Sequence, residues 1–251
     1  MTLLEFFTEG LVTHYIKNNG LSMVSGKGLA ISIPAIFLIL AVSYFFGSIN
    51  FAIIISNRKY NQDIRSFGSN NAGMTNMVRT YGKKMGALTL VGDSLKAVIS
   101  CLFGYAILGN HGAYLAAIAC VLGHMFPVFF GFKGGKGVAT AGFAMLMTNP
   151  YVFLICLVLF VLIVLMSKFV SLGSVMTMLI YPFILYGVDN FVLGGCPYVA
   201  YALIIAVLVI FKHKDNIKRL REGTERKFSL KSSKKESDAE PKDNGSKSKK
   251  K

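Results

Sequence analysis

Apolar residues gather into seven runs, at 31–56, 85–108, 112–131, 137–148, 151–167, 171–187 and 196–211. A helix needs about 20 apolar residues to cross a hydrocarbon core of about 30 Å. Most of the runs approach that length. The fourth is short, since twelve residues of helix rise only about 18 Å. Charge in the connections decides how many runs cross. Arg58, Lys59, Arg65, Arg79, Lys83 and Lys84 follow the first run, Lys133 and Lys136 the third, and Lys168 the fifth. The alternate connections, near 109–111, 149–150 and 188–195, hold no Lys or Arg. Seven crossings place every basic loop on one face, which the positive-inside rule makes cytoplasmic. Omitting the fourth would send Lys168 to the other side. The pattern predicts an all-α integral membrane protein with seven transmembrane helices, one or two of them short, N-terminus out and C-terminus in.

Composition agrees with that reading. The 251 residues are 53% hydrophobic and 16% charged, with a mean hydropathy of +0.55, too apolar for a soluble domain of this size. The net charge of +15 is uneven, with 15 of the 27 Lys and Arg residues at or beyond Phe211. Three domains are expected: an extracytoplasmic extension at 1–30, amphipathic or loosely ordered; a seven-helix membrane domain at 31–228; and a basic cytoplasmic tail at 229–251. The tail is nearly free of apolar residues and is expected to be disordered. Its charge would draw anionic lipid headgroups; a purely solubilising tail is the alternative. No secretory signal is expected, because the first strongly apolar run is too long and lacks a small-residue cleavage site. Cys101, Cys120, Cys156 and Cys196 lie in or beside apolar runs without paired spacing and read as small apolar residues. Membrane lipids are expected partners, nucleic acid is not.

Membrane solubility leaves three polar clusters unexplained, and the topology puts all three on the cytoplasmic face. The first, Asp63 to Arg79, sets Ser69, Asn71, Thr75 and Asn76 within eight residues, more amides and hydroxyls than a turn requires. The second, GFKGGKGVATAGF at 131–143, places glycines beside Lys133 and Lys136. Glycine lets backbone N–H groups come close and lysine adds positive charge, a combination suited to phosphate. His124 precedes it inside an apolar run, where ionisable groups lean toward function. In the third cluster His213, Asn216 and Arg219 recur at i, i+3 and i+6, along one helix face. A plain juxtamembrane anchor would show the same spacing. Asp93 and Lys96, three apart within a span, read first as an ion pair turned into the bundle.

Several chemistries lack their residues. The glycine-lysine loop is not a P-loop, because Phe130 stands where the first glycine belongs and Gly137 where Ser or Thr belongs. No metal-ligand spacing, nucleophile elbow or Cys-His pairing is present, so no metal and no cofactor is expected. A transporter for a phosphorylated solute would also use basic groups and broken helices, but it predicts repeat symmetry and polar groups at the outer face; neither is found.

Gly47-Ser48, Asp63-Ile64-Arg65, Gly68-Ser69, Asn71, Gly73, Thr75-Asn76 and Arg79 form one motif, Gly123 to Thr140 a second. Ser171-Leu172, Ser174, His213, Asn216, Arg219-Leu220, Gly223 and Glu225 form a third. Over about 40–227 the chain resembles the bacterial membrane glycerol-3-phosphate 1-acyltransferases that use acyl phosphate as donor. It departs from them at Asn50, at Asn70 and Met74, which add bulk in place of a glycine and an alanine, and at Ala97. The resemblance implies acyl transfer from acyl phosphate to the sn-1 hydroxyl of glycerol 3-phosphate, giving lysophosphatidate and phosphate. It implies catalytic roles for Ser69, Arg79, Lys136, His213 and Asn216. It implies substrate contacts for Asn71, Gly73, Thr75, Asn76, Gly134, Gly135, Gly137, Ser171 and Arg219, with His213 and Asn216 on the glycerol 3-phosphate side. No residue is placed as a nucleophile, so the acceptor hydroxyl is expected to attack directly.

Overall fold

The computed structural model describes residues 3–192 and 198–227, which are helical with no strand among them. In order the helices are α1 (Leu3–Asn18), α2 (Gly26–Ser48), α3 (Phe51–Tyr60), α4 (Met74–Tyr81), α5 (Lys83–Met125), α6 (Val138–Thr148), α7 (Pro150–Ser167), α8 (Val170–Val192), α9 (Val199–Lys212) and α10 (Lys214–Arg221). Four stretches are long and apolar enough to cross a membrane, at 26–60, 83–130, 150–167 and 170–191. The α6 and α9 helices are shorter apolar helices.

The longest of these stretches is not straight. Leu108 and Gly109 leave helical geometry, Gly109 at φ 58° and ψ −143°, a conformation that suits a residue without Cβ. The helix doubles back there, and a side chain on Gly104 or Gly112 would strike the other residue's backbone. Such close approach through small residues is how helices pack when lipid removes the hydrophobic incentive. The turn falls where the second and third apolar runs were expected to separate, so α5 supplies both. The same device seats α2 on α5: Gly47 meets the Cys120 backbone, and Gly123 meets the Tyr44 carbonyl.

The first apolar run ends differently from its expected 31–56. Ser25 caps α2 by accepting from Gly28 N at 3.2 Å. The helix stops at Ser48, and Asn50 then caps α3 by accepting from Ile53 N at 3.1 Å. The extension at 1–30 is helical over Leu3–Asn18, broken at Gly10 and packed on the α5 turn, with Ile16 buried. The main core joins α5 to α6, α7, α8 and α9, and a smaller one packs α3 and α4 under the turn at 64–66. Most of the apolar surface of α7 stays exposed, including Leu154, Val158, Leu162 and Leu165. An outward face this apolar, on a helix long enough to span, suits the hydrocarbon of a bilayer. The expected tail at 229–251 and Cys196 lie outside the described residues.

Candidate active site

The three polar clusters open onto one cavity of about 860 Å³. It lies at the end of the bundle away from the α5 turn, since Leu90, Asp93 and His124, toward the two free ends of that hairpin, form part of its wall. Ser69, Asn71, Gly73, Thr75 and Arg79 line it from the first cluster, Lys136 and Gly137 from the second, and Ser171, His213, Asn216 and Arg219 from the third. The expected residues Asn76, Gly134 and Gly135 do not line it.

What Asn76 does instead is hold the first loop in shape. Buried at 1% exposure, it accepts from Ser69 N at 2.9 Å and donates to the carbonyls of Ile64 (3.2 Å) and Phe67 (2.9 Å). Gly68 and Asn70 take left-handed conformations, φ 60° and 56°. Asparagine is among the few side chains that tolerate this, so Asn70 keeps the backbone a glycine would adopt. Arg65 binds Asp63 through Nε (3.0 Å) and Nη2 (2.7 Å) and donates from Nη1 to the carbonyls of Phe130 (2.8 Å) and Lys133 (2.9 Å). That guanidinium is fully employed in stapling the first loop to the second.

The glycines of the second loop are used differently from the sequence reading. Two of the N–H groups do not reach for an anion: Gly134 donates to Met125 O at 3.2 Å and Gly135 to His124 O at 3.1 Å. What these positions require is proximity. A Cβ on Gly134 would strike the His124 carbonyl, and one on Gly135 would strike the His124 ring and lie 2.6 Å from Ala72 O. Gly137, at φ 78°, is the N-cap of α6.

Two helices therefore begin at the cavity on glycine without a side-chain cap: α4 on Gly73 and α6 on Gly137. Gly73, Met74 and Thr75, then Gly137, Val138 and Ala139, line the wall, so both positive helix ends are open to an anion. Cationic side chains stand with them. Lys136 donates to Asn216 Oδ1, and its pKa is pushed down to about 8, chiefly by burial. Burial also lowers Arg79, and the positive charge of Arg226 adds to the effect.

Glu225 ties this end together, although the motif match alone gave it no role. It accepts from Ser171 Oγ (2.8 Å), Asn216 Nδ2 (2.6 Å) and Arg219 Nε (2.8 Å). Burial works against its charge, but those hydrogen bonds outweigh it and hold the pKa below the usual carboxylate value. His213 sits at 2% exposure with Nδ1 2.7 Å from Val209 O. A carbonyl only accepts, so Nδ1 carries the proton and Nε2 keeps a lone pair. Burial first, then the Lys136 charge, push the His213 pKa down to about 4. Away from the charges the wall turns apolar between α6, α7 and α8, through Phe143, Met145, Phe153, Phe160 and Met178.

A polar, cationic pocket continuous with an apolar slot is what an enzyme needs to join a phosphorylated acceptor to a fatty chain. The family model described as glycerol-3-phosphate acyltransferase matches residues 37–223. The chain belongs to the glycerol-3-phosphate acyltransferase family. It is 41% identical over 198 residues to the glycerol-3-phosphate acyltransferase of Alkaliphilus metalliredigens, covering 78% of this chain and 97% of that one. Against that of Clostridioides difficile it is 44% identical over 200 residues, 77% and 96% of the two chains. Among solved structures it resembles PlsY (YgiH), an integral membrane glycerol 3-phosphate acyltransferase. The glycerol 3-phosphate form of PlsY superposes with a TM-score of 0.70 at 36% identity, over 77% of this chain and 96% of that one. The lysophosphatidic acid form gives 0.68 at 35% identity, over 78% and 96%. The family is one of acyltransferases, the enzyme class that the motifs implied, and the apolar helices are those of an integral membrane protein.

Proposed function

We propose that the protein transfers an acyl group from acyl phosphate to the sn-1 hydroxyl of glycerol 3-phosphate, giving lysophosphatidate and inorganic phosphate. The observation that carries this reading is the cavity itself. Two open helix starts, Arg79, Lys136 and Arg219 share one wall, and an apolar slot leads away from them. Both substrates are phosphates, and one carries a chain that must come from the bilayer. Seven crossings, with α5 counted as two, put the cavity on the cytoplasmic side with the N-terminus out and the C-terminus in. The membrane domain then runs over 31–228 between the extension at 1–30 and the tail at 229–251.

In the transfer the acceptor hydroxyl oxygen bonds to the acyl carbon while the bond from that carbon to the donor phosphate oxygen breaks. The departing phosphate takes the hydroxyl proton. His213 is a weak base at neutral pH because its pKa is about 4, so it serves as an acceptor that orients the hydroxyl through Nε2. Lys136 and Arg79 neutralise phosphate charge, lysine as a point charge and arginine through its fork. Ser69, Asn71 and Thr75 orient oxygens, with Gly73 and Gly137 opening the two helix starts. Ser171, Asn216 and Arg219 form the glycerol 3-phosphate side around Glu225. The donor is an activated anhydride, so positioning and charge stabilisation are enough without an acyl-enzyme. The test is purified protein with labelled glycerol 3-phosphate and, in parallel, acyl phosphate, acyl-CoA or acyl carrier protein as donor. Lysophosphatidate is expected from acyl phosphate alone. Turnover with a thioester and none with acyl phosphate would overturn the reading.

A further inference from the structure

Beneath the polar end of the cavity lies a buried cluster that the transfer described above does not use. Lys96, at 2% exposure, places its ammonium 2.9 Å from Asp93 Oδ1, 2.8 Å from His124 Nδ1, 3.0 Å from Gly47 O and 2.9 Å from Ile49 O. Asp93 Oδ1 also lies 3.4 Å from His124 Nδ1. An Asp-His arrangement at the edge of a reaction cavity invites a general-base reading, but the donors decide against it. The lysine has only protons to give, so His124 Nδ1 accepts and the ring proton sits on Nε2. That nitrogen has no space toward the second loop, because a Cβ on Gly135 would collide with it. The ring is a wall for the glycines, and the lysine holds the wall.

The cluster joins parts far apart in sequence. Gly47 and Ile49 flank the break between α2 and α3, while Asp93 and His124 come from the two arms of α5. The backbone of His124 receives Gly135 N, and that of Met125 receives Gly134 N. One residue further on, Lys136 enters the cavity. We propose that Lys96 is a positioning residue for the acyl transfer: through the His124 ring it fixes the 134–136 backbone and so aims the Lys136 ammonium at substrate phosphate. This rests on the function proposed above. The competing role is narrower, with Lys96 merely neutralising Asp93.

The two roles separate when both charges are removed. Lys96→Met alone strands Asp93 in the interior, so the variant is Asp93→Asn/Lys96→Met, checked for a monodisperse peak and an unchanged helical spectrum in detergent. Its kcat/KM is compared with wild type, and the same pair is placed in a Lys136→Ala background. The pair is expected to lose at least tenfold in the wild-type background and less than threefold where Lys136 is already gone. Equal losses in both backgrounds, or less than threefold in the first, overturn the proposal. If the pair does not stay folded, His124→Ala replaces it under the same comparison. Amide hydrogen exchange gives a readout apart from activity: Gly134 and Gly135 should exchange at least tenfold faster in the variant, and unchanged protection contradicts the proposal. Should wild type transfer acyl groups from no donor, the proposed function fails by itself, and the exchange result still decides the role of Lys96.

Discussion

At one end of α6 the chain turns into α7 through Asn149, which accepts from Val152 N at 3.2 Å and donates to Asp189 Oδ1 at 3.0 Å, with Pro150 in the first turn. At the other end α6 starts on Gly137, in a left-handed conformation, with nothing from a side chain on its first N–H groups. A side-chain cap is worth about 0.5–2 kcal/mol, and the protein supplies one at α2, α3 and α7. α4 and α6 have none, and their starts line the cavity; α5, α9 and α10 also begin without one, α5 and α9 away from the cavity wall. Across α6 the fold closes one end with Asn149 and leaves the other open on the cavity wall. At the cavity it leaves stabilisation on the order of 1 kcal/mol per helix for a ligand to supply.

The comparison breaks most visibly at Lys136. Lys136→Ala leaves a phosphate without its charge-assisted partner, a loss on the order of 2–4 kcal/mol, so activity should fall about 30- to 1,000-fold with the fold intact. Steady-state kinetics beside a detergent melting curve checks both halves. Lys133, exposed and outside the cavity wall, should tolerate the same change. Gly135→Ala touches no charge but drives a methyl into the His124 ring, and turnover should drop by about tenfold or more. The pH profile sharpens the electrostatic half. With the Lys136 pKa near 8, the cation is held below that pH and lost above it. The kcat/KM should therefore fall as pH rises through about 8, and Lys136→Arg should remove that limb. The smallest kinetic effect belongs to the closed end. Asn149→Ala removes the α7 cap and the Asp189 partner, lowering stability by about 1–2 kcal/mol while KM and kcat stay within about twofold.

How much of this was legible in the sequence follows from how local each signal is. The apolar runs at 137–148, 151–167, 171–187 and 196–211 match α6 to α9 closely. The doubling of α5 at Gly109 sits where charge-free residues separated two runs, because a turn between two crossings leaves its mark in composition. The break between α2 and α3 was missed inside one continuous run. It depends on Asn50, whose side chain caps α3 and also donates to Ala72 O at 3.3 Å, and nothing nearby in sequence signals that contact. Most of the motif residues meet at one cavity, but contacts whose partners lie far along the chain left no local signal. Asn76 braces a loop, Gly134 and Gly135 spend their N–H groups on α5, and Arg65 is held by carbonyls at 130 and 133. Glu225 could have been found by asking what neutralises so many basic residues in the third motif.

The central claim is that the open helix starts are reserved for substrate phosphate, and Gly73→Asp tests it most directly. Gly73 is extended at φ −159° and ψ 170°, a conformation any residue adopts, and a Cβ there meets only the Asn71 amide at 3.1 Å. An aspartate would cap α4 and put a carboxylate where the phosphate belongs. Melting in detergent and the KM for each substrate are measured against wild type. The account predicts a melting temperature equal to or above wild type, with KM for a phosphate substrate raised about tenfold or more, or about 1.4 kcal/mol of lost binding. A capped, stable α4 with unchanged KM for both substrates would contradict it.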